Sequence, residues 1–90
     1  MSVWLVETYL ARGAAAERVA REQRARSAVD ELTQEAKPIR FDRSIHVLED
    51  EICFFVFDAP SSQDVALVAQ RAGLGAFRIV EAVSSGKEKK

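Results

Sequence analysis

Ile52 to Phe57 is an unbroken run of six apolar residues, and Ala59-Pro60-Ser61-Ser62 follows it as a turn-like cluster. A strand with one wet face alternates apolar and polar positions, whereas one covered on both faces does not. The run therefore predicts a central strand. Val3 to Thr8 reads the same way: Val3, Leu5 and Glu7 fall on one side, Trp4, Val6 and Thr8 on the other, and both sides begin apolar. Ile39 to Val47 alternates instead. Ile39, Phe41, Ile45 and Val47 form an apolar face that Arg43 interrupts, against Arg40, Asp42, Ser44 and His46, a pattern suited to a sheet edge. Phe77 to Val83 is a fourth strand.

Helical periods fill the gaps. Ala14 to about Lys37 contains no glycine or proline, and Pro38 stops it. Its apolar positions lie on one side early (Ala16, Val19, Ala20) and on another later (Ala25, Ala28, Val29, Leu32), which predicts a bend or two contact surfaces. Its arginines alternate with Glu17, Glu22, Asp30 and Glu31, so they predict a solvated face, with acid-before-base pairs Glu17/Arg21 and Glu22/Arg26. A second helix opens at Ser61, which can cap it, carries the stripe Val65, Val68, Ala69, Ala72, and ends at Gly73 as a left-handed cap with Leu74 folding back.

The order β-α-β-β-α-β predicts an α+β, ferredoxin-like sandwich. It has one four-stranded antiparallel sheet, order 4-1-3-2, with two helices on one face. Residues 1–83 form a single domain, and 84–90, with no apolar residue, a disordered tail. A turn at Glu49-Asp50 pairs Val47 with Ile52, His46 with Cys53 and Ser44 with Phe55. In that register Cys53, Phe55 and Phe57 point to the face the helices leave bare. A homodimer closing on that face, with Phe55 and Phe57 in its interface, is the expected cover.

Composition narrows the function. With 13 Lys and Arg against 14 Asp and Glu, the net charge of −1 gives no field for nucleic acid or an anionic membrane. No run is long enough to span a bilayer. One cysteine, Cys53, excludes an intrachain disulfide and predicts a cytoplasmic protein. The scattered glycines form no phosphate loop, and Phe55 and Phe57 lack the basic surround of an RNA-binding sheet. A Cys–His nucleophile lacks an orienting acid and an oxyanion-hole motif, so the enzymatic reading ranks behind a binding one.

Val-Glu at Val6-Glu7, Cys-Phe-Phe-Val-Phe-Asp-Ala-Pro-Ser from Cys53, Gln-Arg-Ala-Gly-Leu from Gln70 and Arg-Ile-Val-Glu-Ala-Val from Arg78 resemble a family of small bacterial dimeric ferredoxin-like domains. Its members are mostly of unassigned function and include a nickel-binding, nickel-responsive protein. The resemblance runs from about Val3 to Val83. It implies a βαββαβ homodimer and places Cys53 where the metal-binding relative has a cysteine ligand. Where that relative has histidines, this chain has Glu7-Thr8 and Leu74. The chain's own donors for nickel or zinc are therefore Cys53, His46 opposite it, and Glu7. The resulting expectation is a small dimeric ligand-binding or sensing module. The alternatives are a cofactor-free dimeric enzyme with a pocket between sheet and helices, and an interaction domain with no ligand.

Overall fold

The computed structural model describes residues 1–83; the tail expected at 84–90 lies outside them. Six elements follow in order: β1 (Ser2–Tyr9), α1 (Ala15–Gln34), β2 (Arg40–Val47), β3 (Ile52–Ala59), α2 (Ser62–Ala72) and β4 (Ala76–Ala82). All strand pairs are antiparallel, and the sheet runs β2-β3-β1-β4, which is 4-1-3-2 read from the other edge. The two strands that read as apolar on both sides are the central pair. Both helices pack on one face, giving the ferredoxin-like sandwich.

The β2–β3 register pairs Val47 with Ile52, His46 with Cys53 and Ser44 with Phe55. Glu-Asp is a poor type I′ dipeptide, and the chain closes the turn differently. The Glu51 N–H donates to the Leu48 carbonyl at 3.2 Å, and Glu51 itself takes a left-handed φ of 54°. Both helices end in the same hydrogen-bonded cap. In α2, Leu74 N–H reaches the Ala69 carbonyl at 3.0 Å and Gly73 N–H the Gln70 carbonyl at 3.1 Å, with Gly73 at φ 63°. In α1, Lys37 N–H reaches Leu32 at 2.9 Å and Ala36 N–H reaches Thr33 at 3.0 Å. Here the left-handed position is Ala36, at φ 68°, so α1 ends before Pro38 can stop it.

The face assigned to β3 is reversed from the sequence-based expectation. Cys53, Phe55 and Phe57 are wholly buried in the single chain, in one cluster with Ala25, Val29 and Leu32 of α1 and Val65 and Val68 of α2. Phe55 and Phe57 are therefore core residues beneath the helices and not a dimer interface. The physical reason is a bulge in β2. Phe41 pairs with Phe57, but Arg43 pairs with Val56, so Asp42 is an extra residue and the side-chain alternation flips. Ile39 and Phe41 turn to the helices; Arg43, Ile45 and Val47 turn away. Phe41 packs on Phe57 at 5.3 Å between ring centroids, and the Arg26 guanidinium lies 4.8 Å from its centroid. Burial of each large apolar side chain here contributes roughly 1.5–3 kcal/mol.

The bare face is consequently built from the other parity. Its rows, read across the sheet from β2 to β4, are Ile45–Phe54–Glu7–Arg78, Arg43–Val56–Leu5–Val80 and Arg40–Asp58–Val3–Ala82. Phe54, Leu5 and Val80 are half-buried and Ile45 is 42% exposed, with no helix over any of them.

Candidate functional site

His46 and Cys53 lie side by side on the helix-facing side of the β2–β3 ladder, at the end where α1 begins. This end of the domain differs from the apolar core beside it. The buried residues of α1 are Ala25, Ala28, Val29 and Leu32, all in its second half. Val19 of the first half is 45% exposed, and the side chains reaching the sheet there are Arg18, Arg21 and Glu22.

These three close a polar seam over Thr8, Ser44, His46 and Cys53. Arg21 Nη1 donates to the Thr8 hydroxyl at 3.3 Å and to the Tyr9 carbonyl at 3.1 Å, while its Nε donates to Glu17 at 2.9 Å. That last bond holds the Glu17 carboxyl below its usual range. Thr8, itself fully buried, donates to the Cys53 carbonyl at 2.9 Å. Arg18 approaches Ser44 Oγ at 3.5 Å and Glu22 at 3.5 Å, and the Ser44 hydroxyl donates to Glu22. The expected Glu22/Arg26 pair is thus replaced by Arg18–Glu22, because Arg26 is held over Phe41.

His46 Nε2 lies 3.0 Å from the Leu10 carbonyl. A carbonyl only accepts, so Nε2 carries the proton in this bond and a neutral ring keeps its lone pair on Nδ1. Burial pushes the Cys53 thiol up; the positive charges of Arg18 and Arg21 oppose that shift and Glu22 adds to it. The site therefore offers one imidazole nitrogen and one thiol that resists ionisation.

Glu7, the third donor expected from the sequence, is not with them. It pairs with Phe54 and Arg78, which places it on the bare face, across the sheet from the seam. Its carboxylate approaches Arg78 Nε at 3.5 Å. Among the described residues no group of three or more His, Cys, Asp and Glu side chains is disposed to hold a metal ion. Sequence reading missed Thr8, Ser44, Arg18, Arg21 and Glu22 as neighbours of the pair. The spacing of Arg18, Arg21 and Glu22 at i, i+3 and i+4, on a helix whose apolar stripe fails in that half, was the available signal. Grooves of about 380 and 390 Å³ run between α1 and α2, beside Arg24 and Arg71, and between α1 and β2, beside Arg26 and Phe41; neither is lined by His46 or Cys53.

The fold and its bare sheet face define the class as a small ferredoxin-like α+β domain. The crystal structure of SCO4226 from Streptomyces coelicolor A3(2) is similar to it, with a TM-score of 0.66 and 19% sequence identity over 93% of this chain and 99% of that one. At that identity the likeness concerns the fold. No protein-family model matches the chain, and no curated protein matches it. Among the described residues no helix is long and apolar enough to cross a membrane.

Proposed function

We propose that the chain is a small homodimeric binding module. Its bare sheet face closes on the same face of a second copy, and its ligand is held at the seam around His46 and Cys53. The observation that carries the dimer is the composition of that face: Ile45 is exposed and Leu5, Phe54 and Val80 are half-buried around the buried Val56, with no helix over them. A contiguous apolar surface on one side of an open sheet marks an association site. It also carries charge of both signs, Glu7 with Arg40, Arg43 and Arg78, so it is suited to meet itself. Light scattering on the purified chain tests this reading; a mass of 10.0 kDa, the single-chain value, would remove it.

A transition metal such as nickel or zinc is the ligand this chemistry favours. The supporting observation is the His46–Leu10 bond, since metal-bound histidines characteristically donate their other ring N–H to a carbonyl or carboxylate. Cys53 would supply a thiolate, and the remaining ligands would come from solvent or a small-molecule chelator. Calorimetric titration with nickel and zinc of wild type and Cys53→Ser tests it, and equal binding by the two would exclude Cys53 as a ligand.

A further inference from the structure

Glu7 is an anomaly of the bare face. It sits on a central strand, between Phe54 of β3 and Arg78 of β4, in a row that continues to Ile45. Its side chain is already only 15% exposed, while that of Arg78 is 64% exposed. Within the chain the two meet at 3.5 Å through Nε, well beyond the roughly 2.7–2.9 Å of a good charge-assisted hydrogen bond. A single loose contact is enough for a carboxylate still open to water. It is not enough for one that a partner covers, because a desolvated charge must be paired closely and its remaining lone pairs satisfied.

Covering this face with a purely apolar partner would therefore strand Glu7. A second copy does not, because the same face carries Arg78, whose guanidinium is largely exposed and makes no other ion pair among the described residues. In an isologous contact any residue i that meets j of the partner is matched by j meeting i. One exchange thus closes two ion pairs. Resting on the homodimer reading above, we infer that Glu7 of each copy takes the Arg78 guanidinium of the other. This crossed pair fixes the register of the two sheets and makes the face specific for itself.

The charge-swapped double variant Glu7→Arg/Arg78→Glu decides the matter, because it keeps the ion pair within each chain and reverses it between chains. Wild type labelled with 15N is mixed with the unlabelled double variant, allowed to exchange, and examined by native mass spectrometry. The expected result is that each forms its own homodimer. The mixed dimer, which sets arginine against arginine and carboxylate against carboxylate, falls at least about tenfold below its statistical share. A statistical 1:2:1 mixture would show that the pair stays within the chain and would overturn the exchange while leaving the dimer standing. A monomeric double variant beside a dimeric wild type would mean that Glu7 meets a different cation across the interface, which also overturns it. A monomeric wild type would remove the dimer reading itself.

Discussion

The Nε2–H of His46 donates to the carbonyl of Leu10 at 3.0 Å, and this bond decides what His46 can offer to Cys53's neighbourhood. It fixes the tautomer, so that only Nδ1 of the neutral ring is available as a ligand. Nickel or zinc binding should therefore be lost, by more than about tenfold in affinity, in both His46→Ala and Cys53→Ser. Glu7→Gln should bind as wild type does, because Glu7 lies across the sheet. Since the thiol must ionise against its burial, affinity should rise with pH and binding should release a proton. Calorimetry in buffers of different ionisation enthalpy measures both.

Cys53 also makes a prediction about stability. Burial holds its folded value above that of an unburied thiol, so the native state holds the proton that the unfolded chain gives up first. The contribution to stability is fully present below the unfolded value and is lost as pH rises through the folded one. Urea unfolding of wild type should weaken across this alkaline window, and Cys53→Ala should not show that component of the loss. Iodoacetamide should label the native thiol far more slowly than the urea-unfolded one.

The two sides of β3 should respond oppositely to substitution. Phe55→Ala and Phe57→Ala leave cavities beneath the helices and should each destabilise the chain by about 3–5 kcal/mol. Ile45→Asp places a carboxylate on the bare face at a position already 42% exposed. It should leave the chain folded by circular dichroism and remove the dimer. An unfolded Ile45→Asp would put Ile45 in the core and contradict the register flip at Asp42.

The cap of α1 is a site for gain. Ala36 holds φ 68°, a conformation that disfavours any residue with a Cβ. Ala36→Gly should raise stability by about 0.5–1 kcal/mol, and Gly73→Ala, at φ 63° in the matching cap of α2, should lower it by a similar amount. Thermal unfolding of the two variants against wild type checks the pair.

Much of this architecture was legible from residue patterns. The apolar runs of β1 and β3 identified the central strands, the Val65-Val68-Ala69-Ala72 stripe the buried side of α2, and the turn at Glu49-Asp50 the partners of Ile52, Cys53 and Phe55, up to the bulge at Asp42. The face of β3 was not legible. A strand apolar on both sides carries no internal sign of which side the helices take, so the assignment leaned on β2, and there Asp42 shifts the alternation by one residue. Ile39 and Phe41 were grouped with Ile45 and Val47 although they face opposite ways. The same slip put Phe55 and Phe57 in an interface and left open which side Glu7 took. The seam was hidden for another reason: Arg18 and Arg21 read as solvated charge, and only packing shows them reaching Ser44 and Thr8.

If a second copy closes the bare face, the chain should be dimeric in solution, and light scattering coupled to size exclusion reads the mass. At about 50 μM chain, low enough that only a specific interface persists, wild type should elute at twice the 10.0 kDa chain mass and Ile45→Asp at that mass itself. A wild type of 10.0 kDa under those conditions would mean that no second copy covers the face.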